Sequence, residues 1–139
     1  MMIKMHGVKL PNLKQTAGCA PERIPTPSKV TIPMSMHIGA PAEPVVKKGD
    51  TVMVGTMIGK AGGFVSANIY SSVSGTVQDV APLHMANGSM ATAVAIKTDG
   101  AQTVDPACVP PVVTDKASLM AAVQACGLVG VGGAGFPTH

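Results

Sequence analysis

The sequence predicts a mainly β fold, followed by one short helix and a glycine-rich loop. Three observations carry this reading. Short runs of Val, Ile and Thr recur between residues 34 and 98, separated by Gly-Asp, Gly or Asn-Gly. Pro11, Pro21, Pro25, Pro27 and Pro33 break any helix near the N-terminus. Helical spacing of apolar residues appears only late, across residues 115–126.

Residues 1–33 are expected to form an extended, Pro-rich arm that wraps another surface, with Val30-Thr31-Ile32 as a short strand. Residues 34–98 form the β module. Val45-Val46 leads through Lys47-Lys48-Gly49-Asp50 to Thr51-Val52-Met53-Val54-Gly55 and Thr56-Met57-Ile58-Gly59. A second set runs from Phe64-Val65-Ser66-Ala67 through Ile69-Tyr70 to Ser72-Val73-Ser74-Gly75-Thr76-Val77. Asn87-Gly88 is a strong turn signal, and Ala93-Val94-Ala95-Ile96-Lys97 closes the set. The order V-x-K-G-D-x-V-x-x-G-x-x-I, then V-S-G-T-V, is the grammar of the barrel-sandwich hybrid of lipoyl- and biotinyl-carrying domains. Another small antiparallel sandwich is the alternative. In the barrel-sandwich reading Lys48-Gly49-Asp50 makes a tight turn, Gly55 a second bend, and Gly75 sits in the matching half of a pseudo-two-fold repeat. Residues 99–114, with Asp99-Gly100, Pro106 and Pro110-Pro111, read as a linker. Residues 115–126 read as a helix capped by Thr114 or Asp115 and stopped by Gly127. Leu119, Met120, Val123 and Cys126 share its apolar face.

Composition excludes several classes. Nearly half of the 139 residues are apolar, but there is no Trp, one Tyr and two Phe, so aliphatic side chains must build the core. The ten Met residues suggest an adaptable interior or apolar surface, and core filler rather than a ligand set. A net charge of +3, with no basic stripe interleaved with aromatics, argues against nucleic acid. Cys19, Cys108 and Cys126 stand far apart with no C-x-x-C pair, so neither a zinc site nor an iron–sulfur site is encoded. An odd cysteine count without a signal peptide fits a reducing compartment. No run approaches the roughly 20 apolar residues of a membrane helix, so direct membrane insertion is not expected.

Three places could carry chemistry. A carrier domain of this fold bears a modified Lys at the hairpin tip between its two halves. Here the tip falls near Phe64, in Lys60-Ala61-Gly62-Gly63-Phe64-Val65, and Lys60 precedes the Gly-Gly pair. A purely structural module fits better than a swinging-arm carrier. The second place is Gly130-Val131-Gly132-Gly133-Ala134-Gly135-Phe136-Pro137-Thr138-His139. It contains G-x-G-x-x-G, but a helix precedes it and no acidic ribose ligand follows, so the dinucleotide-fold context is wrong. Successive glycine amides can still form an anion-binding nest with a ligand lying on the backbone; a flexible tail is the plain alternative. The third is His37, which has no acid or Cys partner at a readable spacing and receives no catalytic role.

Two distant strings then point to one family. Ile32-Pro33-Met34-Ser35-Met36-His37-Ile38-Gly39-Ala40-Pro41-Ala42 resembles I-P-L-S-Q-H-I-G-A-P-A, and Gly127 to His139 resembles G-I-V-G-M-G-G-A-G-F-P-T-H. Both strings are those of the C subunit of Rnf-type ion-translocating ferredoxin:NAD oxidoreductases. Gly7-Val8-Lys9-Leu10-Pro11 and Phe64-Val65-Ser66-Ala67 also fit. The glycine string is shared with the flavin subunit of respiratory complex I, which has Arg where Val131 stands. The resemblance implies a barrel-sandwich domain, then an FMN- and NADH-binding domain, then two [4Fe-4S] clusters. It assigns Gly130, Gly132, Gly133, Ala134, Gly135, Phe136 and Thr138 to the flavin loop, with no catalytic residue and no metal ligand. It implies partners among the other subunits of a membrane complex, and a peripheral position on the cytoplasmic side of the bacterial inner membrane. On this reading residues 115–139 are the truncated start of the FMN/NADH-binding domain, with its remainder and the cluster cysteines beyond His139. The chain alone is then expected to lack dehydrogenase activity and measurable FMN binding, with residues from about 115 onward loosely held or opportunistically docked.

Overall fold

The computed structural model describes Gly7 and residues 11–139. Seven strands and one helix follow in order: β1 (Lys29–Pro33), β2 (Glu43–Pro44), β3 (Thr51–Val52), β4 (Met57–Lys60), β5 (Ile69–Tyr70), β6 (Gly75–His84), β7 (Met90–Thr98) and α1 (Lys116–Ala125). They form a four-stranded sheet, β1-β7-β6-β3, and a three-stranded sheet, β2-β4-β5. Every strand pairing within these sheets is antiparallel. The mainly β architecture with one short helix is the one expected from the sequence.

The core lies where the two sheets face each other. Ile32, Val52, Val77, Val94 and Ile96 come from the larger sheet; Ile58 and Ile69 come from the smaller; Met34, Ala42 and Val73 come from loops. An all-aliphatic core of this kind is held by burial alone, each fully buried Val or Ile contributing about 1.5–3 kcal/mol. Met34 is the one methionine among the described buried residues. Met36, Met53, Met57, Met90 and Met120 are exposed, so of the two expected places for methionine the apolar surface holds more of them than the core.

Turn chemistry sets the strand ends. The Lys47–Asp50 turn closes through the Asp50 N–H to the Lys47 carbonyl (3.1 Å), and the Asp50 carboxylate accepts from the Lys47 N–H at 2.9 Å. Asn87-Gly88 makes the hairpin between β6 and β7, whose register runs without further breaks from Asp79↔Ala95 to His84↔Met90. Pro82 lies inside β6, a position usually barred to proline. It is tolerated because β3 pairs with β6 only at Gly75 and Thr76, leaving one side of Pro82 without a ladder. The register shift between Val77 and Asp79 marks the bulge where β6 leaves the core and becomes one arm of an exposed ribbon.

The strand expected at Val30-Thr31-Ile32 is present as β1, paired with β7 from Lys29↔Lys97 to Pro33↔Ala93. The first part of the segment read as a linker is stapled to the barrel. Val54 and Val104 form an isolated parallel bridge, with Val54 donating to Thr103 and Asp105 donating back to Val54, each at 2.8 Å. The Ser74 hydroxyl donates to Asp99 (2.6 Å) and accepts from the Thr103 N–H (3.0 Å). The Thr56 hydroxyl donates to Asp105 at 2.6 Å. The physical reason is that the carboxylates of Asp99 and Asp105 find donors on the barrel, which composition alone cannot show.

These carboxylates give the fold an acid dependence. Asp99 is held below its ordinary value of 3.8 chiefly by the Ser74 hydroxyl and then by the Ala101 N–H. Asp105 is held down chiefly by the Thr56 hydroxyl and then by the Ala107 N–H. A carboxyl whose folded pKa is depressed stabilises fully above its unfolded value, and that contribution is lost as pH falls through the folded value. The melting temperature is therefore expected to be flat from neutrality down to about pH 5 and to fall below about pH 4. Thr56→Val should flatten that acid limb in a pH series of thermal melts. An acid limb as steep in Thr56→Val as in the native chain would remove Asp105 as a cause.

Helix α1 begins with a capping box. The Asp115 carboxylate accepts from the Ser118 N–H (2.8 Å), and the Ser118 hydroxyl oxygen accepts from the Asp115 N–H (2.9 Å). The Ser118 backbone N–H is the first cause that keeps the Asp115 carboxyl below its usual range. None of the helix residues is buried, and the expected apolar face remains open: Leu119 and Met120 are about half-exposed.

Candidate functional site

The glycine-rich string forms a closed loop. The Gly130 N–H donates to the Phe136 carbonyl (2.8 Å), and the Thr138 N–H donates to the Leu128 carbonyl (3.0 Å). Val129 and Pro137 form an antiparallel bridge between those two rungs. Beyond them the amides of Val131, Gly132, Gly133 and Ala134 donate to no backbone carbonyl among the described residues. Val131 is fully exposed, and a Cβ built at Gly132 or Gly133 would meet nothing within 4 Å. The loop therefore offers a stretch of backbone without side-chain cover at 132–133, with unpaired amides around it. Such a surface suits a flat or anionic group lying against the main chain.

Of the residues expected at this site, Gly132, Gly133 and Ala134 lie on the exposed arc, and Gly130 is exposed at its base rung. Phe136 is 58% exposed, and Thr138 is exposed with its N–H used in the base rung. Gly135 is different: it is buried against the barrel. A Cβ there would stand 3.1 Å from the Met36 carbonyl oxygen and 3.2 Å from the His37 Cα.

The barrel edge facing the loop is built from two other segments, residues 34–42 and 61–70. His37 is buried and ties them together. Its Nε2 lies 3.2 Å from the Ala67 nitrogen and 3.1 Å from the Ala67 oxygen, while Nδ1 lies 3.1 Å from the Ile38 oxygen. The Nδ1–H tautomer donates to Ile38 and accepts from Ala67, which gives the ring a structural task. Fully buried Ser66 adds a second tie: its hydroxyl donates to the Ala40 carbonyl (2.8 Å) and accepts from the Gly62 N–H (3.0 Å). The Ala40 N–H donates to the Val65 carbonyl at 2.9 Å, completing the join.

The hairpin tip carries no lysine at its apex. Lys60 ends β4 and pairs across the sheet with Glu43, whereas Phe64 projects from the tip at 84% exposure. Sequence reasoning placed the tip near Phe64 but missed its contact with the far end of the chain. The His139 Nε2 lies 3.2 Å from the Phe64 carbonyl oxygen, and the two rings meet edge to face with centroids 6.3 Å apart. No local signal could have shown a contact between residues so distant in the chain. Nor do the described residues hold any group of three or more His, Cys, Asp or Glu side chains placed to bind a metal; the three cysteines are exposed and free. Among them no helix is long and apolar enough to cross a membrane.

Residues 4–101 match the family described as the RnfC barrel sandwich hybrid domain. Over 117 residues the chain is 46% identical to the C subunit of the Na(+)-translocating ferredoxin:NAD(+) oxidoreductase complex of Acetobacterium woodii, covering 81% of this chain and 26% of that protein. It is 39% identical to the C subunit of the proton-translocating ferredoxin:NAD(+) oxidoreductase complex of Clostridium ljungdahlii, covering 91% of the chain and 28% of the relative. It is also 39% identical to the C subunit of the ion-translocating oxidoreductase complex of Rhodobacter capsulatus, covering 88% and 24%. The chain thus spans about a quarter of the length of these relatives. With the family matched across most of the chain and two facing sheets closing one aliphatic core, the chain belongs to the RnfC family through a barrel-sandwich hybrid domain.

Proposed function

We propose that this chain serves as the N-terminal part of the C subunit of an ion-translocating ferredoxin:NAD oxidoreductase complex, with the glycine loop as the start of a flavin site. The observation that carries this reading is the loop itself. It is closed at its base by two backbone hydrogen bonds and bare of side chains at Gly132 and Gly133. FMN, where bound, supplies the step between two-electron hydride chemistry at a nicotinamide and one-electron carriers. Gly132, Gly133 and Ala134 would hold it through backbone amides and Phe136 through its ring, with Gly130 and Thr138 closing the base of the loop and Gly135 seating it on the barrel. The barrel's part is structural and docking. It presents this loop and meets other subunits at the cytoplasmic side of the membrane; among the described residues no helix is long and apolar enough to cross a bilayer. NADH or NAD and the iron–sulfur clusters belong to the longer subunit in this reading.

The loop offers one wall only, so the 139-residue chain by itself is expected to bind no FMN measurably and to reduce no dye with NADH. Flavin fluorescence titration and a dye-reduction assay on the purified chain check both. In a full-length subunit that contains this segment, Gly132→Val places a branched side chain on the bare backbone and should abolish flavin retention. NADH-dependent dye reduction by the short chain, or full flavin content in Gly132→Val, would overturn the reading.

A further inference from the structure

An isolated helix of ten residues is marginal in water, and glycine is the residue that loses most entropy when fixed. Since α1 buries none of its own residues, what orders residues 116–139 must come from elsewhere. The contacts all lie on one barrel edge. The Tyr70 hydroxyl donates to the Ala125 carbonyl, and the Asn68 side-chain amide reaches the same oxygen at 3.5 Å. That carbonyl is one of the terminal helix acceptors left without an intrahelical partner. At Gly127, with φ +64°, a Cβ would fall 2.2 Å from the Asn68 carbonyl oxygen, so the chain turns away from the helix in direct backbone contact with the barrel. Gly135 seats on Met36 and His37, and His139 seats on Phe64.

We infer that the barrel edge made by residues 34–42 and 61–70 is a platform that positions the glycine loop, with Tyr70, His37 and Phe64 as positioning residues for the flavin. This rests on the reading of the loop as a flavin cradle. The platform is itself tied together by His37 to Ala67 and Ser66 to Ala40. The loop is gripped at its base and flank while residues 131–134 stay open. Such pre-organisation removes part of the ordering cost that a glycine loop otherwise imposes on binding. The barrel is then a working part of the cofactor site as well as a docking module. Three of the four strings that fit the family, at 32–42, 64–67 and 127–139, meet at this one place.

Hydrogen exchange on the chain tests the platform. Tyr70→Phe removes one hydroxyl, and Gly127→Ala obstructs the seat on Asn68. Both should speed exchange at the Gly130 and Thr138 amides about tenfold, because docking then opens locally, while the Val77 amide in the core keeps its rate. Unchanged rates at Gly130 and Thr138 in both variants overturn the proposal, as does an equal acceleration at Val77, which would report global destabilisation. In a full-length subunit that contains this segment, the same variants should raise the FMN concentration for half-saturation about tenfold. An unchanged affinity would overturn the positioning role and leave the flavin reading standing. An unsubstituted subunit that binds no FMN would overturn the flavin reading, and the role with it.

Discussion

Gly75→Ala is expected to be among the most damaging single substitutions in the barrel. Gly75 begins β6 and sits between Val52 of β3 and Thr98 of β7. Its φ is +155°, and a Cβ would stand 2.0 Å from the Lys97 carbonyl oxygen and 2.9 Å from the Thr98 Cα. Both obstacles are backbone, so neither can swing aside. Relief requires β6 and β7 to part where the sheet is three strands wide. A strained backbone conformation costs about 1–3 kcal/mol, and overpacking adds a similar amount, so the loss should be about 4 kcal/mol. At roughly 4–8 °C per kcal/mol for a domain of this size, the melting temperature should fall by about 20 °C. Gly88→Ala is the matched control: φ is +81°, but a Cβ there meets nothing within 4 Å. It should cost only about 1–2 kcal/mol of local strain. Thermal melts of the two variants decide the matter. If Gly75→Ala melts no lower than Gly88→Ala, the close approach of β7 is not what reserves the position for glycine.

Ile96→Ala should come next. Ile96 is fully buried near the C-terminal end of β7, opposite Val30 on one side and Val77 on the other. The core has no aromatic residue, and Val30 and Val77, which flank Ile96 across the sheet, are short and β-branched and cannot reach into the space left behind. Truncation should cost about 2–5 kcal/mol, towards the upper end because the site collapses poorly. Ile96→Val should cost about 0.5–1.5 kcal/mol. Val112→Ala, at an exposed position, should stay within about 0.5 kcal/mol. Urea unfolding midpoints at constant slope provide the comparison. Equal midpoints for Ile96→Ala and Val112→Ala would mean that the two sheets are not held by the shared core.

Much of the fold was legible because its signals are local. Lys48-Gly49-Asp50 and Asn87-Gly88 specify turns through conformations that few other residues adopt. The helix was readable from Asp115, which finds Ser118 three residues on, and from Gly127 at its end. The barrel-sandwich architecture followed from the spacing of such signals. Less was legible in the β6–β7 ribbon. Asp79 and Pro82 hid a ten-residue strand, because a proline is compatible with a strand only when one side is unpaired, and pairing is not a local property. The same limit applied to residues 99–108, read as a linker because of their Gly and Pro. They are stapled through Ser74 and Thr56, whose hydroxyls become donors to Asp99 and Asp105 only once the sheets have closed.

The glycine loop shows where the division falls. Its composition and the resemblance it carries lead to the expectation of backbone open to a ligand, at Gly130, Gly132, Gly133, Ala134, Gly135, Phe136 and Thr138. What the sequence could not show is where the loop rests. Gly135 on His37, Gly127 on Asn68 and His139 on Phe64 bring together positions that lie far apart along the chain. Local pattern reports the conformations a few neighbouring residues prefer, so it determined the turns, the helix and the bare loop. Contacts between distant loops depend on how two sheets close over one aliphatic core. Only that closure decided that a buried histidine, an exposed phenylalanine and a tyrosine hydroxyl would stand along one edge beneath the glycines.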